Sequence, residues 1–192
     1  MTSREAEFLR IIQADPDIAA LLAAMSTFGA PDCWLVSGVL FQTVWNVLEG
    51  RPQGYGIQDY DLFYFDEDTS HEAEDVWIKR GQSHFAFARR ELQLRNQARV
   101  HLWYQEKFNV DYPRLRSSCD GIRQFLIPAC MVGVTPRMDG GVELFAPLGL
   151  DDIFNRVIRP NPIWSGPPRP RYLEKAARYM RDWPSVKLVS GD

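Results

Sequence analysis

Ile57-Gln-Asp-Tyr-Asp-Leu-Phe-Tyr-Phe-Asp66 is the stretch of sequence that decides the fold. Alternate residues of a β-strand point to one face, so Asp59 and Asp61 would share a face that becomes apolar further along. Two unpaired carboxylates this close repel each other by roughly 1–4 kcal/mol near a protein surface. A divalent cation, Mg²⁺ or Mn²⁺, would turn that repulsion into binding. The stretch therefore predicts a β-strand that opens on a metal site, with a solvated strand end as the alternative.

The segment upstream of this strand ends in a turn of small residues. Cys33-Trp-Leu-Val-Ser-Gly38 is a short apolar run, and Val39 to Leu48 has the apolar spacing of a helix. The first backbone N–H groups of a helix lack partners inside it, and they can bind a phosphate. Ser37 and Gly38 are therefore candidate phosphate-binding residues, although a tight turn of this kind is also common without any ligand.

The rest of the chain alternates between helical and strand patterns, so we expect both helices and strands along it. We expect a single domain over residues 1–192, with N-terminal helices in 1–30 and a Pro-rich strap and a last helix in 160–192. The periodicity predicts helices over 3–13, 17–27, 70–81, 96–108, 119–126, 150–157 and 171–182, one or two strands within 84–95, and a hairpin from 131–135 and 142–145.

Composition limits the kinds of partner. The net charge is −3 and the pI is about 5.7, so we expect no extended nucleic-acid-binding surface. No apolar run is long enough to span a membrane, and the charged N-terminus lacks the apolar core of a signal peptide. The three cysteines are widely spaced and fit reduced thiols. Together these features predict a cytoplasmic protein.

The order strand, Ser-Gly turn, helix, loop and strand with two aspartates resembles the polymerase-β-type nucleotidyltransferase superfamily. More narrowly, the chain resembles a bacterial nucleotidyltransferase-like family of uncharacterised proteins, which is related to the head domain of CCA-adding enzymes. The narrower resemblance lies in Asn96-Gln-Ala-Arg-Val-His-Leu-Trp-Tyr104, in Ala146-Pro-Leu-Gly-Leu-Asp-Asp152 and in Arg159-Pro-Asn-Pro162. It covers roughly residues 20–185 and implies an α+β, polymerase-β-like fold, with a small mixed β-sheet flanked by helices.

The resemblance implies roles for individual residues. Ser37 and Gly38 would lie against the triphosphate of an NTP, where small residues let the backbone approach. Asp59 and Asp61 would be catalytic and would hold the Mg²⁺ that bridges the phosphates.

A third carboxylate usually stands on a neighbouring strand in this superfamily and helps to activate the nucleophile. Glu91 is the candidate for that catalytic role, whereas Gln93, on the same face, would be a neutral stand-in that cannot take a proton. Arg95 and Arg99 lie four residues apart, so both could face the phosphates from the start of one helix. An ion pair with an acidic residue is an equally good interpretation of these arginines.

The function implied is the Mg²⁺-dependent transfer of a nucleoside monophosphate from an NTP to a hydroxyl, with release of pyrophosphate. The acceptor is unknown and could be a small molecule, a protein or an RNA. CCA addition is not expected, because the Arg-Asp-Phe-Thr-Ile-Asn-Ala stretch of CCA-adding enzymes is missing and no room exists for their tRNA-grasping domains. The alternative is a catalytically inactive nucleotide-binding or protein-interaction module with the same fold.

Overall fold

The computed structural model describes residues 1–163 and 171–189. Its helices and strands follow the order predicted from periodicity. They are α1 (Ser3–Ala14), α2 (Pro16–Phe28), β1 (Trp34–Val36), α3 (Gly38–Glu49), β2 (Asp59–Tyr64), α4 (His71–His84), β3 (Glu91–Asn96), α5 (Val100–Phe108), α6 (Ser118–Arg123), β4 (Gly133–Pro136), β5 (Val142–Phe145), α7 (Asp151–Asn155), β6 (Val157–Ile158), α8 (Tyr172–Asp182) and β7 (Lys187–Leu188).

Five of the strands form one mixed sheet in the order β3-β2-β1-β4-β5. The β2 and β3 strands are parallel and are joined through α4, whereas the other neighbours are antiparallel. The register of β1 against β2 places Val36 opposite Asp61. The predicted α+β fold with a small mixed sheet and flanking helices is confirmed, and the register joins the Ser-Gly turn to the acidic strand.

Local sequence signals explain where the helices begin. Thr2 caps α1 in a reciprocal arrangement with Glu5, which satisfies two N–H groups at once. Asp15 caps α2 ahead of a proline, and Ser70 and Ser117 cap α4 and α6. Each cap occupies orphan backbone donors, so these helix starts depend on residues visible in the sequence.

The two faces of β2 have different environments. Tyr60, Leu62 and Tyr64 are nearly inaccessible and belong to the main core, which also contains side chains from α1, α2 and α3. The odd-numbered residues are half-buried and point to the other face. A smaller apolar cluster of Trp34, Val36, Ile122 and Met131 accompanies Phe63 on that second face. The acidic end of β2 lies beyond this cluster.

The C-terminal helix α8 and the residues after it are tied to α3. The indole Nε1 of Trp183 donates to Asn46 Oδ1 at 2.8 Å, and the ring of Trp183 packs against that of Trp45. Gly56 has a φ of +70°, and a Cβ there would collide with the Trp183 ring. The loop from 50 to 58 and the chain end are therefore packed around one tryptophan.

Several expectations are refined. Residues 84–95 contain one strand, and Arg95 lies in it rather than at a helix start. The helix expected over 96–108 opens with a 3₁₀ turn, Gln97–Arg99. The short parallel pair β6–β7 was not predicted, because two-residue strands have no periodicity to detect. The expected Pro-rich strap lies largely outside the described residues, since its residues 164–170 are not described.

Two further sequence expectations concern thiols and membranes. Cys33, Cys119 and Cys130 are free thiols, and Cys130 is buried. Across residues 1–163 and 171–189, no helix combines the length and apolar character needed to cross a bilayer.

Candidate active site

Asp59 and Asp61 lie together on the half-buried face of β2, as the alternation predicts. Burial, and after it the negative charge of the neighbouring Asp59, raises the pKa of Asp61 to about 7. Lys175 and Arg95 act in the opposite direction through their positive charges. Within the described ranges, Asp61 makes no hydrogen bond and no ion pair. Its carboxylate is thus held in a partly desolvated place without a protein partner.

The Ser37-Gly38 turn stands next to these acids, because Val36 pairs directly with Asp61. Ser37 has a φ of +56°, a strained value for a residue with a side chain, and it turns the chain sharply from β1 into α3. Its carbonyl accepts from Leu40 N and Phe41 N, which uses the donors of that part of the helix. The N–H of Gly38, at the start of α3, is among the groups left for a ligand.

β3 supplies a glutamine beside the acids. Gln93 Nε2 donates to Asp59 Oδ2 at 2.9 Å, and its Cα pairs with that of Asp61. Glu91 lies two residues before Gln93 on the same face and pairs with Asp59, but its side chain is exposed. In the described part of the chain, no group of three or more His, Cys, Asp or Glu side chains is arranged to hold a metal. The third-acid role of Glu91 stays a prediction.

Positive charge reaches the site from the last helix. Lys175, half-buried on α8, lowers the pKa of Asp61, and Arg178 Nη1 donates to Gln58 Oε1 just ahead of β2. Arg95 lies on the acid-bearing face of the β2–β3 pair, opposite Phe63, and is exposed. Lys175 and Arg178 were not predicted from the sequence, since more than 110 positions separate them from the acids and no local pattern links the two segments.

Arg99 occupies a different place from Arg95. Its Nε lies 3.0 Å from Glu74 Oε2, and its Nη1 donates to the backbone oxygen of Thr69 at 2.8 Å. Both charged side chains of this pair are nearly buried. The end of β3 at Asn96 lies about 10 Å along the strand from Gln93, which pairs with Asp61, and Arg99 follows beyond that end. The structure therefore does not bring Arg99 to the acids, and the ion-pair interpretation holds for it.

The donors of the acid pair fit a divalent cation. Mg²⁺ and Mn²⁺ bind carboxylate oxygens, and Asp61 offers both of its oxygens while Asp59 offers the one that Gln93 leaves. A carboxyl group whose pKa is raised by burial and by a second carboxylate is stabilised when a cation neutralises both. Asp59 and Asp61 are thus the residues that could hold such an ion.

Comparison with known proteins bears on this geometry. A family model described as Nucleotidyltransferase matches residues 23–188. No curated protein matches the chain. One solved structure, determined by NMR and described as revealing a CCA-adding enzyme head domain, has a TM-score of 0.78 and 25% identity and covers 97% of this chain and 96% of its own.

A second solved structure is that of a CCA-adding enzyme in complex with CTP. Its TM-score is 0.58 and its identity 14%, and the match covers 96% of this chain but 43% of that enzyme. This chain therefore corresponds to less than half of the larger enzyme, and the likeness shows a shared fold.

Proposed function

Because the chain belongs to the nucleotidyltransferase family, we propose that it transfers a nucleoside monophosphate from an NTP to a hydroxyl group of an acceptor. The oxygen of that hydroxyl forms a bond to the α-phosphorus, the bond from this phosphorus to the β-bridging oxygen breaks, and pyrophosphate leaves. The reaction would depend on Mg²⁺ or Mn²⁺.

One observation carries the proposal. The pairing of Val36 with Asp61 puts a strained turn at the N-terminus of α3 beside two carboxylates, and that of Asp61 makes no hydrogen bond or ion pair with any residue in 1–163 or 171–189. A triphosphate with its metal needs both features at once: backbone donors for phosphate oxygens and carboxylates for the cation. Neither feature alone would distinguish a transferase from an ordinary sheet end.

The proposed division of labour follows from the placement of the residues. Asp59 and Asp61 would hold the divalent cation, which would supply charge neutralisation on the phosphates. The Gly38 N–H would bind a phosphate oxygen, while Lys175 and Arg95 would add positive charge near Asp61. Positioning and electrostatics of this kind supply most of the catalysis in phosphoryl and nucleotidyl transfers.

Proton removal from the acceptor hydroxyl needs a carboxylate or solvent near Asp59. Glu91 is the proposed acceptor of that proton, because it is exposed, lies beside Asp59 on the same face and is acidic. Gln93 holds Asp59 through a hydrogen bond and cannot take a proton. In this proposal Gln93 is a positioning residue, and Glu91 touches the reacting hydroxyl.

The direct test is a transfer assay with each of four NTPs labelled at the α-phosphate, in the presence of Mg²⁺ or Mn²⁺ and a broad panel of acceptors. Label transfer with stoichiometric pyrophosphate release, lost in Asp59→Asn and Asp61→Asn, is the expected result. Absence of transfer to every acceptor, including the protein itself, combined with absence of NTP binding by calorimetry, would refute the proposal.

A second candidate function is supported by the hydrogen bond from Gln93 to Asp59, which puts an amide where a third acid would stand. The protein would then bind NTP and metal without turnover, as a nucleotide-binding or protein-interaction module. Calorimetry separates the two candidates: metal-dependent NTP binding through Asp61, with no product formed from any acceptor, identifies the module.

A further inference from the structure

A cavity of about 230 Å³ adjoins the acid pair. Phe63 and Arg95 line it, and these two residues pair with each other on β2 and β3. They lie two positions beyond Asp61 and Gln93 on the same face, a distance of about 7 Å along the strands. Lys175 also lines the cavity while acting on the charge of Asp61. The cavity therefore begins about one sugar ring away from the carboxylates.

Six of the residues that line the cavity are aromatic. Trp103 and Phe108 on α5 are half-buried there, with ring centroids 6.4 Å apart. Phe63 and Phe125 stack on each other at 5.5 Å and form another part of the lining. Planar rings stack favourably on such surfaces. The volume is smaller than the roughly 300–1,000 Å³ of pockets that enclose drug-sized ligands, so it suits one planar ring system.

The buried side-chain amide of Gln97 lines the cavity and offers its oxygen as a hydrogen-bond acceptor. Gln97 is 2% exposed, and its Nε2 donates to the backbone oxygen of Arg95 at 3.3 Å. Because a carbonyl oxygen can only accept, this bond fixes the amide with its Oε1 on the other side. That oxygen lies against Gly121, where a Cβ would collide with it. No residue in 1–163 or 171–189 donates to Gln97 Oε1.

Resting on the proposed function, we infer that this cavity receives the base of the NTP, with the aromatic walls stacking on the base and Gln97 Oε1 accepting an N–H from its edge. Every nucleobase in its usual amino or keto form offers both a planar π-surface and at least one edge N–H. The oxygen is free to accept a hydrogen bond from inside the cavity, so a ligand that supplies the N–H gains affinity. The sugar would span the distance from the cavity to the metal-bound phosphates.

The test compares nucleotides with and without a base. Calorimetry in Mn²⁺ would measure the affinity of α,β-methylene NTPs, which resist transfer, and of ribose 5-triphosphate, which keeps the sugar and phosphates. For the wild type we expect at least one NTP to bind about 5- to 150-fold tighter than ribose 5-triphosphate. Trp103→Ala should remove most of that difference, and Gln97→Met should reduce it, with ribose 5-triphosphate affinity unchanged in both variants.

Leu102→Ala is the matched control, since Leu102 is 55% exposed on the same helix and lies outside the cavity lining. It should leave all affinities unchanged, and thermal unfolding of each variant checks that it is folded. Equal binding of NTPs and ribose 5-triphosphate would overturn the base site while leaving the transferase proposal standing. Loss of acceptor use in Trp103→Ala with NTP affinity intact would also overturn it, because the cavity would then hold the acceptor. Failure of both ligands to bind would instead remove the proposed function itself.

Discussion

Charged side chains have different partners at the two ends of the β2–β3 pair. We call the end at Asp59 and Glu91 the near end, and the end at Tyr64 and Asn96 the far end. At the far end, Arg99 and Glu74 are nearly buried and form an ion pair at 3.0 Å, with the arginine also bonded to the Thr69 carbonyl. At the near end, Asp61 is held beside Asp59, has no hydrogen bond or ion pair within the described ranges, and has its pKa raised to about 7 by burial and by that neighbour. Charged groups are poorly solvated at both ends, and at the far end Arg99 and Glu74 neutralise each other.

This contrast distinguishes charged residues that stabilise the fold from charged residues that are available to bind a ligand. The attraction between the two members of a buried ion pair offsets the free-energy cost of removing both from water. Removing one member leaves the other charge buried without compensation and destabilises the protein. An uncompensated carboxylate lowers stability by itself and is typical of functional sites. We therefore predict a structural role for Arg99 and a functional role for Asp61, and substitution tests each prediction.

The largest expected effect is on catalysis. Asp61→Asn keeps the shape of the side chain but removes a ligand that carries charge, and charge neutralisation by a bound cation is worth several kcal/mol in the transition state. We expect the rate of NMP transfer to fall by about a thousandfold or more. The measurement is the α-phosphate label assay under saturating metal. A variant that retains a tenth or more of the wild-type rate would remove Asp61 from the metal site.

The same substitution should have the opposite effect on stability, with a dependence on pH. In the folded protein the pKa of Asp61 is about 7, above its ordinary value of 3.8, so metal-free protein loses stability as pH rises through this interval. Asp61→Asn removes that loss. Without metal, the free energy of unfolding of the variant should exceed that of the wild type by about 1–3 kcal/mol at pH 8 and show little difference at pH 4. Added Mn²⁺ should stabilise only the wild type.

A substitution at the far end of the strands should lower stability and leave catalysis unchanged. Arg99→Met leaves the Glu74 carboxylate buried without its cation, so the free energy of unfolding should fall by about 3–5 kcal/mol. The transfer rate per folded molecule and the affinity for NTP should stay near wild type, because Arg99 lies beyond the end of β3 and its guanidinium is bonded to Glu74 and Thr69. Urea unfolding and calorimetry measure the two quantities. Weaker NTP binding with unchanged stability would return Arg99 to the nucleotide site.

Glu91 lies at the near end, and its proposed role as proton acceptor can be tested separately. Glu91→Gln should lower the transfer rate by about 10²-fold and remove a pH-dependent step from the rate profile, because the substitution removes a group that takes a proton. The control is Glu67→Gln, since Glu67 is exposed beyond the far end of β2 and should have no effect. A Glu91→Gln enzyme with the wild-type rate and pH profile would leave the proton to solvent.

The smallest expected effect concerns Gln93. Gln93→Glu adds a third carboxylate where the amide now bonds Asp59, so Mn²⁺ should bind about tenfold more tightly. Metal-free stability should fall slightly, since three carboxylates would repel one another. Isothermal titration with Mn²⁺ measures the affinity. Unchanged affinity would indicate that position 93 does not face the ion.

Much of this site was predictable from local sequence. The alternation of Asp59 and Asp61 with apolar residues predicted their shared face, and the Ser-Gly turn before α3 marked a helix start that is a candidate for phosphate binding. In the structure, strand pairing brings these two segments together, with Val36 opposite Asp61. What local periodicity describes best is a strand or helix of five residues or more, and these elements were found.

The remaining features depend on long-range packing, which no local pattern reveals. Lys175 reaches Asp61 only because α8 is fixed against α3 through Trp183 and Asn46. Arg95 and Arg99 are four residues apart, but a change from strand to 3₁₀ turn between them sends the two guanidinium groups to different places. Whether Glu91 or Gln93 meets Asp59 likewise depended on the register of β3.

The most direct test of the central claim is a crystal structure of the protein with Mn²⁺ and an α,β-methylene NTP, recorded with anomalous scattering. The account predicts an anomalous peak within about 2.3 Å of carboxylate oxygens of both Asp59 and Asp61, with a phosphate oxygen on the Gly38 N–H. An ordered nucleotide whose metal binds away from these carboxylates, or whose phosphates avoid the start of α3, would contradict it.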